Sequence, residues 1–207
     1  MGDKLDRIIV VDVEATCWQG KPPAGQENEI IEMGICVVDI NSGQAIEKDS
    51  ILVKPERSQV SEFCTQLTTL TQSQVDKGIS FAEACLLLRK NYSTHQRVWA
   101  SYGEYDKRQF ERQCLARSIK YPFGRKHINV KNLLAIINAM DREVGMARAL
   151  EILNLPLEGT HHRGGDDAWN IGRILSRLLC QAREGNNGRS VRSYPGENVG
   201  RASRLPG

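Results

Sequence analysis

The segment Arg7-Ile8-Ile9-Val10-Val11-Asp12-Val13-Glu14 constrains the fold more than any other part of the chain. Its apolar β-branched run reads as a central strand buried on both faces. The run then closes on two carboxylates. Side chains alternate along a strand, so Asp12 and Glu14 project from the same face. Two acids at the end of a buried strand are costly unless something neutralises them. A divalent cation does so, and hard oxygen ligands suit Mg²⁺ or Mn²⁺. The competing reading is a strand that reaches solvent at Asp12.

The remaining pattern supplies the layers around that strand. A loop from Gln19 to Asn28 precedes a strand over Ile30 to Asp39, a turn at Asn41-Ser42-Gly43 and a strand over Ile46 to Val53. These form a meander of three antiparallel strands. From Ser58 to Asn91 the period lengthens, and Phe81 to Leu88 reads as a helix. Arg97 to Ser101 is a short strand. Tyr105 to Ser118 is a helix with Phe110, Cys114 and Leu115 on one side, and Ile128 to Val130 is a last strand. Helices follow over Lys131 to Met140, Glu143 to Leu153 and Asp166 to Ala182. The order predicts an α/β fold whose mixed sheet has three antiparallel strands, then parallel ones, flanked by helices.

A chain of 207 residues is one domain, or one with an appendage. The expected division is an ordered domain over 1–183 and a tail over 184–207. From Glu184 onward Gly, Asn, Ser and Arg dominate and large apolar residues almost vanish, which predicts disorder. Arg189, Arg192, Arg201 and Arg204 in that tail could touch a nucleic-acid backbone, although a solvated tail is the simpler reading. A net charge of +3 permits a polyanionic partner without demanding one. No apolar run approaches the ~20 residues of a membrane span, and no basic-then-apolar leader is visible. Six scattered cysteines without a C-x-x-C pair offer no thiolate metal site and suggest reduced thiols in a cytoplasmic protein.

Two further segments carry acids in unusual places. In His162-Arg163-Gly164-Gly165-Asp166-Asp167, the helix that follows has an apolar stripe of Ile171, Ile174, Leu175 and Leu178. Four residues back along the stripe is Asp167, which therefore faces the sheet as a candidate ligand, while Asp166 is placed to cap the helix. An adjacent histidine supplies a base that titrates near neutrality, but periodicity leaves His161 and His162 equally open. In Ser101-Tyr102-Gly103-Glu104-Tyr105-Asp106, an acid follows the carboxyl end of a strand, where open α/β sheets place ligand chemistry. Acids also favour helix starts, and Glu104 is as available as Asp106.

Together the three segments resemble the DEDDh exonucleases, a family with a ribonuclease-H-like fold that includes polymerase proofreading domains. The family pattern is D-x-E on the first strand, a lone Asp after the fourth, and His five residues before a final Asp. Asp12-Val13-Glu14, Asp106, and His162 with Asp167 match it in order, from about Arg7 to Leu179. Finer features are similar to the histone-mRNA 3′ exonuclease and RNAi-regulating branch and its bacterial relatives. They are Val11 to Cys17, Glu29-Ile30-Ile31-Glu32, Leu67 to Val75 and Ser101 to Asp106. Thr69 stands where that branch usually has glycine, and Tyr102 where it has tryptophan.

The resemblance implies a metal-dependent 3′-5′ exonuclease acting on single-stranded RNA or DNA 3′ ends, with RNA favoured by the branch. It implies two Mg²⁺ or Mn²⁺ ions ~3.5–4 Å apart, held by Asp12, Glu14, Asp106 and Asp167, with His162 as general base. Substrate contacts are expected from Glu14, Ala15, Thr16, Cys17, Trp18, Leu67, Thr68, Ser101 and His162. The rival classes are an inactive nucleic-acid-binding module on the same fold and a phosphohydrolase of small nucleotides.

Overall fold

The structure, a computed structural model, describes residues 4–187, with side chains described through Glu184. Most of the expected tail, including its four arginines, lies outside the described residues. The elements in chain order are β1 (Lys4–Ala15), β2 (Ile30–Asp39), β3 (Ala45–Leu52), α1 (Glu62–Thr68), α2 (Gln72–Val75), α3 (Phe81–Tyr92), β4 (Arg97–Ser101), α4 (Tyr105–Ala116), β5 (His127–Asn129), α5 (Val130–Ile137), α6 (Met146–Ile152) and α7 (Gly164–Asn187). The sheet order is β3-β2-β1-β4-β5. β1, β2 and β3 pair antiparallel, and β4 and β5 add parallel to β1. This is the expected mixed sheet of a ribonuclease-H-like fold.

Alternation along β1 sorts the molecule into two apolar layers. Ile9, Val11 and Val13 pack with Phe81, Leu88 and Phe110 of α3 and α4. Ile8 and Val10 pack on the other side with Leu134 of α5, Leu150 of α6 and Ile171, Ile174, Leu175 and Leu178 of α7. Asp12 and Glu14 continue the Ile8–Val10 parity, so the acids emerge on the face that α7 covers.

The register explains how close α7 comes. Across β1 and β2, Val10 pairs with Cys36, Asp12 with Gly34 and Glu14 with Glu32. A Cβ built on Gly34 would overlap the Gly164 carbonyl, and one on Gly172 would overlap Cys36 Sγ. Backbone therefore lies directly on backbone where α7 begins. Gly34→Ala is expected to push α7 off the sheet at a cost of about 1–3 kcal/mol, the range for overpacking. Thermal unfolding would show it as a lowered midpoint, and an unchanged midpoint would contradict this packing.

Several boundaries differ from expectation for local reasons. α1 and α2 were not resolved from periodicity because each offers one or two buried side chains, yet both carry readable starts. Ser61 Oγ accepts the Cys64 N–H, and Thr71 and Gln74 form a capping box. Leu115 is 85% exposed instead of joining Phe110 and Cys114. Five residues turn a helix ~140° past Phe110, whereas four turn it only ~40°. Thr69 ends α1 at φ 63°, a left-handed cap that favours glycine and accounts for the residue usual at this place in the resembling branch. α7 runs to Asn187, past the expected end at Ala182.

Candidate active site

The carboxyl ends of β1 and β4 and the N-terminus of α7 meet at one open cleft of about 350 Å³. Asp12, Glu14, Asp106, His161, His162 and Asp167 all line it. Carboxylate oxygens of Asp12, Glu14 and Asp167 lie within 4.8 Å of one another, as do ligand atoms of His161, His162 and Asp167. Asp106 is 4% exposed, and its Oδ1 accepts the Val13 N–H at 3.0 Å. That bond ties the first turn of α4 to the strand between the two acids. Glu104 instead turns outward, pairing with Lys107 at 3.5 Å. The geometry thus separates two acids that their place at a helix start left open.

The two histidines are not separated in the same way. His161 Nδ1 lies 2.9 and 3.1 Å from the two Asp167 oxygens, and the rings of His161 and His162 stack at 4.0 Å. His162 contributes its backbone N–H to Asp167 Oδ2 at 2.9 Å and has a left-handed backbone at φ 63°. Both rings face the cleft, so neither is a mere loop residue.

Electrostatics mark the acids as an unneutralised group. Burial, then Asp106, Glu14, Asp167 and Glu32, push the Asp12 carboxyl well above its usual range. Burial and the same kind of crowding, led by Asp167, push Glu14 up to about 8. Burial chiefly raises Asp106 to about 7, although the Val13 N–H bond opposes it. Asp167 is also raised by burial, against the His162 amide and His161. Among the described residues no Lys or Arg pairs with Asp12, Glu14 or Asp106. Clustered carboxylates converging to within ligand distance, with Arg163 acting on Glu14 only from beyond ion-pair contact, fit divalent-cation binding and leave the solvent-exposed-strand reading behind.

The signs give a testable pH dependence. Folded-state values above the unfolded ones near 4 mean these groups stabilise the metal-free fold below about pH 4. That contribution is lost as pH rises through about 7 to 8. A cation competes with those protons, so its affinity should rise up to about tenfold per pH unit for each proton displaced. Mn²⁺ is therefore expected to raise the unfolding temperature more at pH 8 than at pH 6, and equal shifts would count against a carboxylate site.

The expected substrate contacts divide. Glu14, Ala15, Cys17, Leu67 and His162 line the cleft, whereas Thr16, Trp18, Thr68 and Ser101 are not among its lining residues. Thr16 is buried and braces the following loop, donating to Glu27 O and accepting from Glu29 N–H, both at 2.9 Å. Thr68 Oγ1 donates to Cys64 O within α1. Ser101 Oγ donates to Gly103 O and lies 3.0 Å from His127 Nε2. Asp166 does not cap α7, which begins two residues earlier. It accepts the Thr160 N–H at 2.7 Å and pairs with Lys48.

Sequence reasoning missed other cleft residues, Tyr102 apart. Tyr105, 58% exposed, and Met146 and Ile171 complete the walls, and Tyr102 lines them while its hydroxyl donates to Val144 O. It also missed the setting of Glu32, a buried acid on β2. Glu32 Oε1 accepts from Ser50 Oγ at 2.6 Å and Arg163 Nη2 at 3.1 Å. Its Oε2 accepts from Arg163 Nε at 3.2 Å and the Gly164 N–H at 2.8 Å. The one signal in the sequence was its place in Glu29-Ile30-Ile31-Glu32, the segment similar to the resembling branch.

Comparison with known proteins places this geometry. The RNase T-type exonuclease family profile matches residues 9–175. The chain is 33% identical over 194 residues to 3'-5' exoribonuclease 1 of Rattus norvegicus, covering 86% of this chain and 55% of the relative. The human protein of that name is 31% identical over 191 residues, covering 86% and 54%. The chain therefore spans about half the length of these curated relatives. Among solved structures, the nuclease domain of 3'hExo, described as a DEDDh family member bound to rAMP, matches at TM-score 0.77 and 30% identity. That match covers 86% of this chain and 94% of the domain. By the profile match and the likeness to that nuclease domain, the chain belongs to the RNase T-type exonuclease family, in its DEDDh group.

Proposed function

We propose that this protein shortens single-stranded RNA from its 3′ end, releasing nucleoside 5′-monophosphates, with two Mg²⁺ or Mn²⁺ ions in the acidic cleft. The observation that carries the reading is the convergence of Asp12, Glu14 and Asp167 beside the histidine pair. All five family positions are filled and line one cleft, which argues against an inactive binding module. Asp12, Glu14 and Asp167 would hold the ions, and Asp106 would complete the set. When bound, the ions supply a polarised water and a counter-charge for the leaving 3′-oxygen. His162 would accept the proton of that water; burial, then His161, lowers its ring from the usual imidazole range against the pull of Asp167, which favours the neutral, proton-accepting form. Cys17, Leu67 and Tyr105 offer an apolar and aromatic rim for the terminal base.

RNA is favoured because the relatives are named exoribonucleases, and one similar solved structure concerns 3'-end recognition of a histone mRNA stem-loop by a 3'-exonuclease. The test is 5′-labelled RNA and DNA of one sequence, incubated side by side with Mn²⁺. A stepwise ladder is expected, faster on RNA. Equal or faster cleavage of DNA would overturn the RNA assignment. Absence of any ladder from folded protein would overturn the nuclease reading, and cleavage confined to monomeric phosphate esters would favour the phosphohydrolase.

A further inference from the structure

We infer that Glu32 is a positioning residue that holds the histidine loop and the first turn of α7 in register with Asp12 and Glu14. The inference deepens the nuclease reading proposed above and rests on it. Glu32 sits directly across the antiparallel pair from Glu14, on the same face of the sheet. Like charges in that relation destabilise a sheet, and Glu32 is only 1% exposed. Apolar packing does not call for an acid here. What calls for it is the set of donors brought together above β2.

Those donors come from the segment that carries half of the site. Arg163 meets both carboxylate oxygens through Nε and Nη2, a two-point contact that fixes direction as well as distance. The Gly164 N–H, one of the free amides at the start of α7, donates to Oε2. Ser50 of β3 donates to Oε1 and steadies the acid from the other side. Arg163 follows His162 directly, and its carbonyl accepts the Asp167 N–H at 2.8 Å. His162 in turn donates its amide to Asp167. One carboxylate thus anchors, through Arg163 and Gly164, the chain from the histidine pair to Asp167. His162 holds a left-handed conformation that non-glycine residues keep only when their surroundings impose it. Glu32 does not line the cleft, so it does not touch substrate; it acts through these residues and, from a distance, through its charge on Asp12 and Glu14.

The test uses Glu32→Gln and Glu32→Ala in the full chain. Gln keeps the shape and an acceptor but loses the charge facing Arg163; Ala loses all four bonds. Mn²⁺ affinity is read from free Mn²⁺ by electron paramagnetic resonance, independently of turnover, with kcat and KM on a labelled RNA oligomer and the unfolding temperature alongside. Partners that orient a ligand shell commonly change metal affinity or activity ~10–100-fold. Well below the unfolding temperature, E32A is expected to weaken Mn²⁺ binding and lower kcat by that factor, with E32Q losing about 3–10-fold and KM for RNA little changed in either. Should E32A not fold, E32Q carries the test. Folded variants with wild-type Mn²⁺ affinity and kcat, and only a lower unfolding temperature, would reduce Glu32 to a brace and overturn the inference. A wild-type protein that binds Mn²⁺ but cuts neither RNA nor DNA would instead overturn the nuclease reading, while a weakened Mn²⁺ site in E32Q would still support the positioning role.

Discussion

Asp12→Asn should lower exonuclease turnover about 10³-fold or more and, in the same protein without metal, raise the unfolding temperature. The first effect follows from losing a carboxylate from the only group of acids among the described residues that converges within ligand distance. Ligation of this kind is worth several kcal/mol of charge stabilisation, and ~4 kcal/mol corresponds to three decades. The second follows from the crowding that raises Asp12, Glu14 and Asp106 together. A neutral amide has neither a buried charge to carry nor a proton to take up on folding, so that cost is relieved, and each kcal/mol gained raises the midpoint of a domain this size by ~2–4 °C. The two measurements should move in opposite directions at pH 8. A variant that loses both activity and stability would show Asp12 to be chiefly a structural acid.

His162→Ala carries the next largest expectation, a ~10²–10⁴-fold fall in kcat with Mn²⁺ binding and fold retained. The control is His161→Ala, because His161 is the ring whose Nδ1 touches Asp167. If His162 is the base, loss of His161 should weaken turnover less and act partly through Asp167. If instead His161→Ala abolishes turnover and His162→Ala leaves it robust, the base is His161. His162 would then serve through its amide and its turn of backbone, neither of which needs the ring.

The sequence revealed the halves of this site unequally, and the division has a physical cause. Asp12 and Glu14 follow from the two-residue period of β1, and Asp167 from the apolar stripe of α7. Local periodicity is all that these assignments need. Preferring Asp106 to Glu104 needed family spacing, and the structure gives the reason in the Val13 amide, a partner 93 residues away. The role of Glu32 and the need for Gly34 were illegible because both depend on where α7 lands on β2. No local pattern encodes that docking. The hydroxyls of Thr16, Thr68 and Ser101, three residues expected at the substrate, bond nearby backbone and side-chain groups, as short polar side chains beside turns often do. The short helices α1 and α2 were hidden by their small buried faces, although their caps were written in Ser61, Thr71 and Gln74.

The main-chain contact between β2 and α7 has a consequence for redesign. Where Gly34 meets Gly164, the distance between the acids of β1 and Asp167 is set by two backbones and not by the rotamers of intervening side chains. The far rim, formed by Cys17, Leu67 and Tyr105, takes no part in that contact. Of the rim residues, Leu67 on α1 lies farthest along the chain from the acids, whereas Tyr105 adjoins Asp106 and Cys17 follows Glu14 by three residues. On the proposed nuclease reading, substitutions at Leu67 would change nucleotide preference and leave the spacing of the acids, which the glycine seam sets, unchanged.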